Sequence, residues 1–258
     1  MKKIWTDTKL VFGRAFRQGR RQPQMAFVFP VAFPLFMIVL MSQLYRDITK
    51  VPGFPEQSYV AWIAPGVFLM AAMFGAGASA NALVADIRSG YLDRLRLVPV
   101  HPVALLLGRL LFDTVRMLLA GIVVLATSLA LGAEVRSGWA AAPGMLLLLA
   151  LWTLAYGGMF YLVGLKARNA EKLAALVPLF MPIAFLSTVF VPRGQMPAWI
   201  AAASRVNPYS YVVDGVRGFM TADFSWTVFG AAILACLVAI ALTQAKAARL
   251  FANLVRAD

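Results

Sequence analysis

Uncharged hydrophobic runs divide the chain into regular blocks. Six stretches carry no charged side chain for 17 to 29 residues at a time. A helix needs about 20 apolar residues to cross the hydrocarbon core of a bilayer. The pattern therefore predicts an all-α integral membrane protein in which residues 1–258 form a single domain. We expect six transmembrane spans, at 25–45, 59–84, 109–132, 143–165, 173–191 and 225–245.

Composition supports a chain whose solvent is largely lipid. Hydrophobic residues make up 61% of the sequence and charged residues only 14%, which a soluble domain of this length would not show. The single cysteine, Cys236, lies in the last apolar run. No disulfide can therefore form within the chain, and no thiol cluster is present for a metal.

Lysine and arginine are distributed unequally between the loops. Short loops rich in these residues stay on the cytoplasmic side of the membrane. With the N-terminus inside, eighteen of the 24 Lys and Arg residues fall on that side. We therefore expect a multi-pass protein with both termini cytoplasmic. Because the basic residues are dispersed among the spans, they do not indicate nucleic-acid binding.

The first 24 residues have the pattern of an amphipathic helix. Apolar positions, including Trp5, Phe12 and Phe16, fill one arc of a helical wheel, and seven basic residues fill the opposite arc. Such a helix can bury its aromatic stripe at the headgroup boundary while its cations meet anionic lipid. We predict an interfacial helix over 1–24; the alternative is an ordinary basic N-terminal flank.

The loop between the second and third predicted spans is the most informative polar segment. Ile87, Tyr91 and Leu95 are spaced i, i+4 and i+8, which aligns them on one face of a helix with charges around it. Pro99 ends the pattern. Residues 86–99 are therefore predicted to form a short amphipathic helix; a solvated loop with one helical turn is the alternative.

Three charged residues mark the entry to the third span. Arg109, Asp113 and Arg116 lie at i, i+4 and i+7, so the aspartate can pair with either arginine along one helical face. We predict ion pairs at the cytoplasmic interface; transmission of motion from the preceding loop is the alternative role. Asn81 is expected to hydrogen-bond a neighbouring helix.

An apolar external segment, Pro192–Asp223, is interrupted by prolines and glycines. It is therefore unsuited either to cross a bilayer or to fold as a soluble loop. Two short helices that dip into the outer leaflet fit this pattern, provided that protein buries the backbone turn. Trp199, Tyr209 and Tyr211 are typical of an interfacial aromatic belt.

Several kinds of chemistry are not indicated. No Gly-x-x-x-x-Gly-Lys-Ser/Thr loop is present to hold phosphates, so the sequence does not indicate an ATPase site in this chain. His101 is the only histidine, which leaves no metal site and no Ser-His-Asp triad. The spans also lack the titratable relays of proton-driven carriers and the polar rings of ion channels. Their large apolar and small side chains predict a hydrophobic or amphipathic substrate, a drug-like molecule or a lipid.

Short motifs from about Trp62 to Met220 resemble a family in their order and spacing. The motifs are Ala64-Pro65-Gly66, the 86–99 loop, Gly108-Arg109 with Asp113 and Arg116, Phe190-Val191-Pro192 with Met196-Pro197, and Asn207-Pro208 with Val213-Asp214 and Arg217. Together with the predicted spans, they resemble the ABC-2 type permeases of the daunorubicin-resistance exporter group. This likeness covers most of the chain.

The resemblance implies the translocation subunit of an ATP-driven exporter, and not an enzyme. Such a subunit would lie in the bacterial cytoplasmic (inner) membrane as a dimer, with a second copy of itself or a related permease. ATP and Mg would be bound by separate ATP-binding cassette subunits, and this chain would hold no cofactor. Membrane lipid and a hydrophobic substrate would be its other partners.

The resemblance also implies that the 86–99 helix is a coupling helix docked in a cleft of the ATPase and braced by the N-terminal helix. One departure is Arg88-Ser89-Gly90, where many relatives have Glu-Arg-Gly, so the ion pairing with the ATPase does not transfer to this chain. The predicted coupling residues are Asp86, Ile87, Arg88, Ser89, Gly90, Tyr91, Leu92, Asp93, Arg94, Leu95, Arg96 and Pro99.

For the external segment, the resemblance implies re-entrant helices that gate the outer exit. The predicted gate residues are Pro197, Trp199, Asn207, Pro208, Val212, Val213 and Asp214.

Two other function classes remain open at the level of sequence. A six-span secondary transporter would give gradient-driven flux by the isolated chain, whereas a co-purifying ATPase would favour the exporter. A membrane-embedded transferase would need paired carboxylates, and Asp86 and Asp93 stand seven apart in a loop. Within the exporter class, permeases for sodium, polysaccharide and teichoic acid share the predicted architecture.

Overall fold

Helices account for most of the backbone that the structure describes. The computed structural model describes residues 2–52, 54–56, 58–90, 102–167, 169–176, 178, 181–221 and 223–256, and no β-strand occurs among them. The helices are α1 (Lys2–Arg21), α2 (Phe29–Leu44, preceded by a π-helical turn, Gln24–Val28), α3 (Tyr59–Arg88), α4 (Pro102–Ala130), α5 (Ala142–Ala167), α6 (Ala170–Leu176), α7 (Met181–Phe185), α8 (Ala198–Val206), α9 (Pro208–Thr221) and α10 (Trp226–Arg256).

Five helical segments in the described part of the chain are long and apolar enough to cross a membrane. They correspond to the first, second, third, fourth and sixth predicted spans. The all-helical membrane architecture is thus confirmed. The segments are Ala26–Leu44, Tyr59–Arg88, Ala104–Ala130, Trp139–Ala167 and Trp226–Leu250.

The predicted fifth span, 173–191, is not confirmed as a continuous helix. Its described residues form the end of α6, the five-residue α7, and turns from Leu186 onward. Proline lacks the backbone N–H that a helix interior requires and clashes with the preceding turn. Pro178 and Pro182 therefore disfavour a continuous helix through this run, and the described residues after Phe185 form turns.

Helix α3 forms the centre of the fold. Almost every residue from Tyr59 to Val84 is buried, and the helix packs against α2, α4, α5 and α9. Glycines allow some of these close approaches: a Cβ at Gly66 would overlap the Val189 side chain, and one at Gly75 would overlap Met117. The second predicted span is therefore covered by protein on most sides instead of facing lipid.

Helix α1 packs along the first half of α4. A Cβ at Gly108 would lie 2.6 Å from Val11 Cβ, so the two backbones are in close contact at this point. Further along, Phe12 and Phe16 meet the Phe112 ring edge-on, at centroid distances of 6.1 and 6.3 Å. Trp5 is 56% exposed. The amphipathic helix thus uses part of its apolar face against protein, and its position at a membrane surface stays a prediction.

Helix α10 closes the bundle against α5 and α9. Gln244 Nε2 donates to the Leu154 carbonyl at 3.0 Å, and Gly215 lets α9 approach Ala232. The opposite face of α10 is apolar and exposed, as a lipid-facing span would be.

Candidate functional site: three ion-pair clusters

Asp86 lies where α3 ends and is the centre of the first cluster of charges. Arg14 of α1 donates to both carboxylate oxygens, at 2.7 and 2.9 Å, in a bidentate pair. Arg109 of α4 donates to the same carboxylate through Nη2. The Asp86 cluster, defined as Arg14, Asp86 and Arg109, therefore joins three helices at a single carboxylate.

A second cluster lies deeper along α4 and is centred on Asp113. Ser79 of α3 and Tyr161 of α5 each donate a hydroxyl to this carboxylate, and Arg116 pairs with it at 3.1 Å. We call these four residues the Asp113 cluster. All are buried, and together they connect α3, α4 and α5.

Arg116 also satisfies backbone carbonyls of two other segments. Its Nη1 donates to the Ala26 carbonyl oxygen at 2.9 Å, and its Nη2 donates to the Gly75 carbonyl oxygen at 3.0 Å. The guanidinium lies 5.6 Å from the centre of the Phe112 ring, within the range of cation–π attraction. A charge in this position is tolerated because it is both paired and hydrogen-bonded.

The geometry corrects part of the predicted pairing on α4. Asp113 pairs with Arg116, three residues on, whereas Arg109 turns to Asp86 on another helix. The spacing along α4 was compatible with either arginine. The choice follows from α3, which places a second carboxylate beside Arg109.

A third cluster lies at the opposite end of α3, around Asp214 of α9. Thr188 Oγ1 donates to this carboxylate at 2.7 Å, and Arg217 Nη1 donates to it at 2.7 Å. Arg193 pairs with the second carboxylate oxygen at 3.0 Å. The Asp214 cluster, these four residues, ties α9 to the turns that follow α7.

Arg217 fixes the Asp214 cluster to the beginning of α3. Its guanidinium lies 3.6 Å from the centre of the Trp62 ring and donates to the Thr188 carbonyl at 2.7 Å. Stacking on an aromatic face and bonding a carbonyl are both suited to the planar guanidinium. α9 is thereby attached to a central helix instead of lying loosely on the surface.

Asn207 organises the backbone between α7 and α9. Its side-chain oxygen accepts from the Tyr209 N–H at 3.0 Å, which caps α9, and Pro208 occupies the first helical position. Its Nδ2 donates to the carbonyls of Ile183 and Leu186, at 2.6 and 2.8 Å. These are carbonyls that the short α7 leaves without helical partners.

The predicted coupling residues fall partly inside the described chain. Asp86, Ile87 and Arg88 form the last turn of α3, and Ser89 and Gly90 form a turn, with Gly90 at φ +65°. The left-handed backbone at this position favours glycine. Tyr91, Leu92, Asp93, Arg94, Leu95, Arg96 and Pro99 lie outside the described residues.

The predicted gate residues separate into two groups. Val212 and Val213 are fully buried, and Asn207 and Asp214 make the contacts given above. Pro197 and Trp199, at the start of α8, are exposed and contribute to no cluster among the described residues. The buried members thus lie on α9 or at its N-cap, and their role as a gate stays a prediction.

Sequence reasoning missed several members of these clusters. Arg14 was placed on the polar arc of α1 with six other basic residues, and nothing in the sequence singles it out. Tyr161 and Ser79 read as ordinary span residues. The sequence does indicate the pairing of Arg217, because this residue follows Asp214 by three positions on one helical face.

Glu56 provides a pH-dependent test of the loop before α3. Burial raises the pKa of its carboxyl above the ordinary value of 4.5, and Arg136, 3.6 Å away, opposes the rise. The folded state favours the neutral carboxyl of Glu56. The stability that this carboxyl contributes is therefore present below pH 4.5 and is lost as pH rises through the raised pKa. We expect Glu56→Gln to flatten the fall in thermal stability of the purified protein from pH 4.5 upward.

Glu134→Gln is the matched control, because the Glu134 side chain is 72% exposed and also faces Arg136. It should keep the wild-type pH profile. An unchanged profile in Glu56→Gln would contradict the role of burial at this position.

Comparison with known proteins gives a consistent result. The family model described as ABC-2 type transporter matches residues 6–221. The daunorubicin resistance ABC transporter permease protein DrrB1 of Streptomyces coeruleorubidus is 29% identical over 203 residues, which cover 77% of this chain and 69% of that protein. The probable doxorubicin resistance ABC transporter permease protein DrrC of Mycobacterium tuberculosis is 29% identical over 201 residues, covering 75% and 68%.

Another relative extends the likeness over nearly the whole chain. The putative transport permease ycf38 of Porphyra purpurea is 25% identical over 259 residues, covering 98% of this chain and 87% of that protein. The family match covers most of the sequence and includes all three ion-pair clusters. The chain therefore belongs to the ABC-2 type transporter family.

Proposed function

We propose that this chain is the transmembrane permease subunit of an ATP-binding cassette exporter that moves a hydrophobic or amphipathic molecule out of the cell. The observation that carries the proposal is the Asp86 cluster. It fixes the start of the segment that would contact the ATPase to both α1 and α4. ATP and Mg belong to a separate subunit in this proposal.

The coupling step follows from the position of Asp86. Residues 91–99 come directly after the last turn of α3, so a force applied to them reaches Asp86 first. A bidentate arginine–carboxylate pair is directional and rigid. Motion at the segment 86–99 would therefore be passed to α1 and α4 together instead of being absorbed in a loop.

The segment between α5 and α8, of which residues 169–176, 178 and 181–197 are described, supplies the remaining crossing in this proposal. Lys166 at the end of α5 and Lys172 in α6 flank its start, as expected for a cytoplasmic end. Broken helices are tolerated at membrane depth when protein satisfies the freed backbone groups. Asn207 does this for two carbonyls of the α7 region. A crossing by α6 and α7 together puts both termini on the cytoplasmic side.

The outer gate is proposed to be α9 with the turns that follow α7. The Asp214 cluster and the Trp62–Arg217 contact join this helix to the start of α3. Because α3 also ends at Asp86, a single helix connects the ATPase-facing end to the exit. A shift of α3 along its axis would therefore strain the Asp214 cluster and release α9.

The substrate class is supported by the spans and by the relatives. The helices long enough to cross a membrane expose mainly apolar side chains. Two relatives carry names that refer to daunorubicin and doxorubicin resistance. A flat, amphipathic drug-like molecule or a lipid is the substrate class that these observations favour. A second copy of the chain, or a related permease, completes the pathway in this proposal.

Reconstitution tests the function directly. The chain would be co-expressed and purified with its ATP-binding subunit, placed in vesicles and assayed with doxorubicin as the probe. Export that requires ATP and both subunits supports the proposal. Doxorubicin flux driven by an ion gradient through the isolated chain would contradict it and favour a secondary transporter.

A further inference from the structure

A cavity of about 380 Å³ lies between α1, α3 and α4, with Tyr161 of α5 at its inner wall. It is bounded by small side chains of α3, including Ala78 and Ala82, and by the last two turns of α1. The cavity connects the Asp86 and Asp113 clusters, because Arg109 lines it beside Asp113 and Arg116. It therefore offers a space, mostly apolar but lined by several charged and amide side chains, that neither ion-pair cluster fills.

The wall of this cavity carries a net positive charge. Two arginines, Arg109 and Arg116, line it against one carboxylate, Asp113. The adjoining Arg14 and Asp86 offset one another, so the surplus remains. The other polar side chains at the wall, Asn81, Gln18 and Gln22, add amide donors and no negative charge. This chemistry favours an anion.

Arg109 is the member of the wall with the most donors to spare. Among the described residues, its guanidinium makes one hydrogen bond, from Nη2 to Asp86, although the residue is only 8% exposed. A guanidinium has five N–H donors in a planar fork. Arg116, by contrast, uses both terminal nitrogens on protein acceptors and leaves its Nε without a partner in the described part of the chain. A phosphate oxygen at Arg109 would therefore complete a guanidinium that the described residues leave partly unbonded.

A wholly apolar pocket of about 170 Å³ adjoins this larger cavity. Phenylalanines of α1, the π-helical turn and α4 line it, and it shares Phe112 and Arg116 with the larger cavity. Its remaining lining residues, Val115 and Leu119, lie on the outer face of α4. A molecule with an anionic head and an apolar chain would match both spaces at once.

We propose that these two spaces bind an anionic membrane lipid, with its phosphate at Arg109 and the start of its acyl chain along Phe112. The inference rests on the membrane placement in the proposed function, which puts α1 at the cytoplasmic leaflet. Basic pockets between spans on that side suit anionic headgroups. The bound lipid would lie against all three helices that the Asp86 cluster joins, where it would stiffen their junction.

Lipid retention by the purified full-length chain tests this site. The probe is dioleoyl phosphatidylglycerol, titrated into detergent micelles and followed by native mass spectrometry. Dioleoyl phosphatidylcholine and inorganic phosphate are the comparison ligands, which separate the charge of the head from the need for a chain. We expect phosphatidylglycerol to bind at least about tenfold more tightly than either. The choline cation of phosphatidylcholine is repelled by the positive wall, and inorganic phosphate has no chain to bury in the apolar pocket.

Three variants locate the binding. Ala82→Leu fills the cavity, and Arg109→Gln removes the proposed phosphate partner; each should weaken phosphatidylglycerol binding by about tenfold or more. Ala61→Leu is the matched control, because Ala61 is half-buried on the same helix and does not line the cavity. It should bind as the wild type does. Melting temperatures identify a variant that simply fails to fold.

Equal retention of phosphatidylglycerol by Ala82→Leu and the wild type would overturn the site. Equal binding of phosphatidylcholine would show that charge is not recognised, and equal binding of inorganic phosphate would show that no amphiphile is required; both results would overturn the proposal. The assay contains no ATPase. Its failure therefore leaves the export function standing, and a failure of ATP-driven export leaves the lipid site to be judged on binding alone.

Discussion

Asp86→Asn is expected to uncouple ATP hydrolysis from export. The neutral amide cannot hold Arg14 and Arg109, so two cations lose their shared counter-charge. Removing one partner of a buried pair costs about 3–5 kcal/mol, and the partial exposure of Arg14 places the loss toward the lower end. We expect export per ATP hydrolysed to fall at least about tenfold, measured with the reconstituted pair of subunits, while ATP hydrolysis continues.

Two further variants separate coupling from folding. Asp47→Asn is the matched control, since the Asp47 side chain is 77% exposed and pairs only locally with Lys50; it should export normally. The double variant Asp86→Asn/Arg109→Gln removes one unpaired cation and should regain thermal stability without regaining export. Normal export per ATP in Asp86→Asn would show that the cluster does not transmit the motion.

Val213→Asp is expected to abolish export while ATP hydrolysis by the partner subunit stays measurable. Val213 is fully buried on α9 in the apolar core, and the cation one turn further along, Arg217, is already bonded to Asp214. A buried carboxylate without its own partner is costly enough to displace α9 from its packed position. Among the described residues, Tyr209 and Arg217 make the hydrogen bonds from α9 to α3, so we expect α9 to shift without unfolding the spans.

Val206→Asp is the control for charge alone. Val206 ends α8 and is 83% exposed, so the same substitution adds the same charge to the same external segment without burying it. Export should then be close to wild type. Export by Val213→Asp at the wild-type rate would remove α9 from the proposed gate.

The hydrophobic pattern predicted most spans because crossing a bilayer imposes a length that sequence reveals directly. The third span was predicted at 109–132, whereas the helix runs from Pro102 to Ala130. Its first turns are apolar, but they were left out of the predicted span because charged residues separate them from the uncharged run. The fifth span is not confirmed for a different reason. An uncharged run indicates compatibility with lipid, but it does not show whether the backbone stays helical past prolines such as Pro178 and Pro182.

The candidate site was predictable only where its members share a helix. Asp113 with Arg116, and Asp214 with Arg217, follow from spacing of three residues. The contact between Arg14 and Asp86 joins positions 72 residues apart, and no periodicity encodes it. Such pairs depend on how α1, α3 and α4 pack, which in turn depends on small residues such as Gly108 at the crossings.

Accessibility of Ser89 tests the central claim, that the segment beginning at Asp86 faces the cytosol and receives work from an ATPase. Ser89 is exposed in the turn after α3, and cysteine is close to it in size. In a Cys236→Ala background, Ser89→Cys would be treated with a membrane-impermeant maleimide. The account predicts labelling in inside-out vesicles, none in intact cells, and protection by the bound ATP-binding subunit. Labelling of intact cells, or equal labelling with and without that subunit, would contradict it.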